Sequence, residues 1–177
     1  PFAFLDQANV ALSTTITSAA VTITGLAATT AISVTGGTIT VNQNLNTSTA
    51  ASASAVMLKG QGNVSLASSK SITTNGGAVT FWSDSDANGA GYVQMLTNPS
   101  VSTSGGAITL GGGLDIATGY ARGEATRDTV TEPTYTLYIA GVHLQSGVSL
   151  SSGGGDITMR GQNASTTSGA MVFGVMG

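Results

Sequence analysis

One recurring segment limits what this chain can fold into. Residues 71–82 read SITTNGGAVTFW, and residues 32–41 (ISVTGGTITV), 101–111 (VSTSGGAITLG) and 148–161 (VSLSSGGGDITMRG) are altered copies. Each has a β-branched run, one or two small polar residues and Gly-Gly. One variable residue, Ile or Val, Thr and a large apolar residue follow. β-Branched residues suit a pleated, half-buried backbone, and glycine enters φ > 0 turns at little steric cost. The pattern predicts strand, tight turn, strand. The turn is either a hairpin or a corner between two faces of a coil.

The spacing helps to choose. Gly36, Gly76, Gly105 and Gly154 are 40, 29 and 49 residues apart, so no fixed period holds. Between them lie triplets with apolar ends: Val56-Met57-Leu58, Val64-Ser65-Leu66, Val93-Gln94-Met95, Leu114-Asp115-Ile116, Leu137-Tyr138-Ile139, Val142-His143-Leu144 and Met171-Val172-Phe173. In a strand, positions one and three share a face and position two points the other way. Short strands with irregular insertions favour a solenoid, in which each coil rests on its neighbours. The predicted fold is all-β: a right-handed parallel β-helix over residues 32–177, with residues 1–31 as an N-terminal β segment. That segment is either a cap or a strand lent to another subunit. The alternative is an antiparallel β-sandwich built of hairpins. In the solenoid, Ile39, Val41, Val79, Phe81, Ile108, Leu110, Ile157 and Met159 point inward. Thr40, Thr80, Thr109 and Thr158 form an outer ladder.

Composition excludes several functions. Charged residues make up 7% of the chain and the net charge is −3. The five cations, Lys59, Lys70, Arg122, Arg127 and Arg160, are dispersed. Nucleic-acid binding needs clustered Lys and Arg, so it is not expected. There is no cysteine, so neither disulfides nor thiolate metal sites contribute. No apolar run approaches the roughly 20 residues of a membrane-spanning helix. The chain opens at Pro1 rather than Met, as a processed product or an excised fragment does.

Two resemblances follow from these residues. DQANVALSTTITS, VTITG and ISVTGG, within residues 1–41, resemble the opening of an immunoglobulin-like repeat of large bacterial surface proteins. The segments GGTITVNQNLNT, VMLKGQGNVSLASSKSITTNGGAVTFWSDSDANGAG, VSTSGGAITLGGG and GVHLQSGVSLSSGGGDITMRG, within residues 32–161, resemble filamentous-haemagglutinin-like β-helical repeats. The second resemblance implies an extracellular or cell-surface role in adhesion, matrix or scaffold. Such repeats sit in tandem in long chains, which implies a fragment or a subunit that rebuilds the solenoid by assembly.

Few residues suggest chemistry. Asp84-Ser85-Asp86-Ala87-Asn88-Gly89 matches the first half of a calcium loop, making Asp84, Asp86 and Asn88 candidate ligands. The twelfth position is Met95, where a bidentate Glu belongs, and the same residues also make an ordinary polar turn. Residues 120–133 hold Arg122, Glu124, Arg127, Asp128 and Glu132 and interrupt the strand rhythm, as a long inserted loop does. Phe2, Phe4, Trp82, Tyr92, Tyr120, Arg122 and Arg127 are the candidate partner contacts. No enzyme is expected. His143, the only histidine, sits mid-strand and should face a polar ladder. No G-x-S-x-G elbow occurs, and Asp115 and Asp156 lack an acid–base signature.

The sequence predicts a structural building block of a bacterial filament, adhesin or matrix. It self-associates into a homo-oligomer or filament through its ends or exposed strands, and calcium is the one candidate cofactor. The second reading is a module that binds glycans or a host surface. A polysaccharide-degrading β-helix ranks third.

Overall fold

The computed structural model describes residues 20–23, 26–27, 30–123, 125–126, 138–163 and 171–177. Among these residues there is no helix, and every pairing of long strands is parallel. Each turn of the chain lays one strand on each of three faces. Ile32–Gly36, Thr38–Val41 and Leu45–Asn46 form one coil on faces I, II and III. Val56–Gly60, Val64–Leu66 and Ser71–Thr73 form the next. Val79–Ser83, Val93–Met95 and Ser100–Ser102 form the third. Ile108–Gly112, Tyr138–Leu144 and Ser149–Ser151 form the fourth. Ile157–Met159 on face I and Met171–Met176 on face II are the next strands of the stack. This is the expected parallel β-solenoid, and the hairpin sandwich is not what forms.

The solenoid begins ahead of residue 32. Ala20–Ile23 pairs in parallel with Thr38–Val41, and Leu26–Ala27 with Leu45–Asn46. The described part of the N-terminal segment is therefore a partial coil of the same stack.

Register explains why the triplets work. On face I, Ile32, Val56, Val79, Ile108 and Ile157 stack, as do Val34, Leu58, Phe81, Leu110 and Met159. Val41, Leu66, Met95 and Leu144 stack on face II, and Leu45, Ile72, Val101 and Leu150 on face III. All but the final residue of each column are buried. Burying each such side chain contributes roughly 1.5–3 kcal/mol before chain entropy is subtracted.

Two sequence expectations need correction. Gly36-Gly37 is not equivalent to the other three pairs. It lies at the corner from face I to face II, where Gly36 pairs with Gly60. Gly76-Gly77, Gly105-Gly106 and Gly154-Gly155 lie at the corner from face III to face I. Strand, Gly-Gly, strand fits either corner, so local pattern alone merged them. For the same reason Thr40 stands on face II beside Ser65, while Thr80, Thr109 and Thr158 form the ladder on face I.

The corner from face III to face I has its own polar lining. Thr47, Thr74 and Thr103 are buried, each two residues past the inward apolar residue of its face III strand. The Thr47 hydroxyl donates to the Ser54 carbonyl at 2.7 Å. The Thr74 hydroxyl donates to the Gly77 carbonyl at 2.5 Å and stands 3.3 Å from the Thr103 carbonyl. The hydroxyls of Thr47 and Thr74 satisfy the Ser54 and Gly77 carbonyls, where an unpaired buried group would cost about 1–3 kcal/mol; the Thr103 carbonyl also accepts from the Gly76 amide at 2.7 Å.

Candidate functional site

The two longest coils are extended at the same corner. Along face I the steps from 32 to 56, 79, 108 and 157 are 24, 23, 29 and 49 residues. The extra residues of the two longer coils are inserted between the face I strand and the face II strand. They follow Val79–Ser83 and Ile108–Gly112, before the next face II strands begin. Loops stacked on one edge of a rigid body can act together.

The loop after Ser83 is built around a buried carboxylate. Asp84 has φ 47, in the left-handed region that Asp tolerates better than most residues. Its Oδ1 accepts from the Gly89 and Ala90 amides at 3.0 and 3.3 Å. The Ala87 amide donates to the Asp84 carbonyl at 2.8 Å. At the exposed tip, Asn88 Nδ2 donates to Asp86 Oδ2 at 2.9 Å, and the Ala90 amide donates to Asn88 Oδ1 at 2.9 Å. The three expected calcium ligands thus share one turn, and their side-chain oxygens accept hydrogen bonds from that turn. Among the described residues, no group of three or more His, Cys, Asp or Glu is placed to hold a metal ion. Burial pushes the Asp84 carboxyl above its ordinary 3.8. The two amides and the Arg122 charge pull it down, and Asp86 adds to the rise.

Arg122 joins the two loops. Its strand, Ala121–Gly123, pairs with Gly161–Asn163. Its backbone also forms an antiparallel bridge to Gly91, with the Arg122 amide donating to the Gly91 carbonyl at 2.7 Å. The exposed guanidinium donates from Nε to Gln162 Oε1 at 2.9 Å. Residues far apart in sequence, Asp84 and Arg122, thereby meet at one corner.

Trp82 stands beside this corner on the outside of face I, in the column Thr35, Lys59, Trp82, Gly111. The Lys59 ammonium lies 4.0 Å from the centre of the indole ring, and the indole Nε1 donates to the Gly113 carbonyl at 2.7 Å. The ring therefore ties the loop of residues 113–119 to the sheet. That loop is also closed by Asp115, whose Oδ1 accepts from the Ala117 amide at 2.9 Å. Leu114 within it and Tyr120 just after it are 73% and 48% exposed. Tyr92 is half-buried, and burial raises its hydroxyl above the ordinary 10.0. Its amide donates to Asn63 Oδ1 at 3.1 Å.

Of the expected partner contacts, Trp82, Tyr92, Tyr120 and Arg122 fall in or beside the loop corner. Phe2, Phe4 and Arg127 lie outside the described residues. His143 is in register with Gln94, its Nδ1 3.4 Å from Gln94 Nε2, but it is buried rather than standing on an open outer ladder. The triplet Leu114-Asp115-Ile116, which the sequence pattern makes a strand with inward apolar ends, instead lies in a loop, where Leu114 is exposed. Three apolar-ended residues after Gly-Gly-Gly fit a strand pattern but are too short to distinguish it from a turn. Among the described residues no helix is long and apolar enough to cross a membrane. No family model, curated protein or solved structure matches this chain.

Proposed function

We propose that this chain is a structural building block of an extracellular filament, adhesin or matrix, without enzymatic activity, and that it associates with copies of itself. The observation that carries this reading is the uninterrupted stacking of coils in register around one aliphatic column. Such a body is rigid along its axis, because every coil is hydrogen-bonded to the next. Its outer ladders are Ser, Thr and Asn with few charges, so salt has little to screen. The test is negative-stain microscopy with sedimentation across concentration and salt. Ordered assemblies are expected; a monomer under every condition overturns the reading.

A second reading, a module that binds glycans or a host surface, is supported by the exposed Leu114 and Tyr120 beside Trp82. A glycan-array signal lost on Trp82→Ala and Tyr120→Ala would favour it. No signal with the unmodified protein would remove it.

A further inference from the structure

The chain contains two Asn-Gly pairs, Asn75-Gly76 and Asn88-Gly89. Asn followed by Gly is open to an internal reaction, because the missing Cβ leaves the Gly amide nitrogen unhindered beside the Asn side-chain carbonyl carbon. The nitrogen attacks Asn Cγ and closes an imide ring. Both asparagines are exposed, so exposure does not separate them. Their hydrogen bonds do.

At the corner from face III to face I, the Gly76 amide donates to the Thr103 carbonyl of the next coil at 2.7 Å. Ring closure at Asn75 consumes that N–H and removes a bond between coils. A neutral carbonyl is also a poor acceptor for the proton that must leave. In the loop after Ser83, the Gly89 amide donates instead to Asp84 Oδ1 at 3.0 Å. This partner is a carboxylate, which can take a proton. It belongs to the same turn, so no bond between coils is lost.

The Asn88 side chain is held at both polar atoms. Its Nδ2 donates to Asp86 Oδ2 at 2.9 Å. Its Oδ1 accepts at 2.9 Å from the Ala90 amide, which also stands 3.3 Å from Asp84 Oδ1. The Ala90 amide is therefore aimed at the oxygen on which negative charge develops when Cγ is attacked, the arrangement that stabilises an oxyanion. Among the described residues, an atom placed where Gly89 lacks a Cβ would meet nothing within 4 Å, so the ring has room to close.

We propose that Asn88-Gly89 is a self-modifying site, where the folded loop converts Asn88 to a succinimide and then to aspartate or isoaspartate. Asp84 Oδ1 takes the Gly89 amide proton, the Gly89 nitrogen bonds to Asn88 Cγ, and the Ala90 amide holds the resulting oxyanion. The Cγ–Nδ2 bond then breaks. Nδ2 leaves as ammonia, carrying through solvent the proton that Asp84 had taken. Water opens the imide at either carbonyl, so asparagine plus water gives the acid plus ammonia. The product changes the corner. The donor to Asp86 is replaced by a second negative charge, and isoaspartate lengthens the main chain just ahead of the two amides that Asp84 holds. The loop then loosens from Asp84, while the Gly91–Arg122 bridge beyond it remains.

The test is peptide mapping by mass spectrometry of the full chain, held at neutral pH and physiological temperature. In the folded protein Asn88 should convert to aspartate and isoaspartate well before Asn75. In urea the two should convert at one common rate, slower than that of folded Asn88. Asp84→Asn keeps an oxygen for both amides but is no base, and should slow conversion at Asn88 by about a hundredfold, the low end of general-base assistance. Asp84→Ala, which frees the loop and also removes the base, should slow it too. If folded Asn88 converts no faster than Asn75, or if either Asp84 variant converts as fast as the unmodified protein or faster, the Gly89 hydrogen bond does not promote the reaction and the proposal is overturned.

Discussion

The hydroxyl of Thr103 donates to the carbonyl of Gly106 at 2.5 Å, across the corner from face III to face I, and to the Ser152 carbonyl of the next coil at 3.0 Å. One side chain thus closes its own turn and ties it to the neighbouring coil. Thr103→Val keeps the volume and removes the donor, leaving a buried carbonyl unpaired. It should cost about 1–3 kcal/mol in chemical denaturation. Thr80→Val on the outer ladder should stay within about 0.5 kcal/mol. Equal effects at the two sites would show that burial of the hydroxyl does not matter.

Adjacent glycines at one corner should respond differently. Gly76 has φ +78 and open space, since an added Cβ would meet only Ala53 Cβ at 3.5 Å. At Gly77 an added Cβ would run into the Ser54 carbonyl of the coil below. Gly76→Ala should therefore cost about 1 kcal/mol of backbone strain, and Gly76→Asn less, because Asn tolerates the left-handed region. Gly77→Ala forces two coils apart and should exceed the roughly 1–3 kcal/mol of ordinary overpacking. Urea melts of the three variants give the order directly.

Much of this fold is legible in the sequence because inward residues alternate and stack. Val79, Phe81, Ile108 and Leu110 can be placed from their triplets alone. What cannot be read is which corner a given Gly-Gly serves, since a turn pattern carries no label for its face. Gly36-Gly37 and Gly76-Gly77 look alike and stand at different corners for that reason. The site is less legible. DSDANG announces a polar turn, but the Gly91–Arg122 bridge joins segments some thirty residues apart and leaves no local mark.

The Trp82 indole nitrogen, rather than the Lys59 contact on its ring, should hold the loop of residues 113–119. Trp82 is the only tryptophan, so its fluorescence reports this place alone. Lys59→Met removes the cation from the ring and should cost about 0.5–1 kcal/mol, the range for a part-exposed cation–π contact. Trp82→Phe keeps a ring for Lys59 but loses the donor to the Gly113 carbonyl. Amide exchange across residues 113–119 should quicken in Trp82→Phe and change little in Lys59→Met. Identical exchange in both variants would mean that the indole nitrogen does not anchor the loop.

Asp84 should make stability fall as pH rises through the acid range. Its carboxyl titrates above 3.8 in the folded chain, chiefly because burial disfavours the charge. Between its unfolded and folded values the native state holds more protons than the unfolded one. Linkage then requires stability to decrease with pH across that interval and to level off above it. Asp84→Asn removes the ionisation, tolerates φ 47 and keeps an oxygen for the Gly89 and Ala90 amides. The variant should melt at or above the unmodified protein at neutral pH, and the difference should vanish below about pH 4, where the unmodified carboxyl is protonated in both states. Asp84→Ala, which leaves both amides without their acceptor, should instead lose about 1–3 kcal/mol at every pH. If Asp84→Asn is the less stable protein at neutral pH and gains relative stability on acidification, the two amides and Arg122 outweigh burial, and the carboxylate is a stabilising charge.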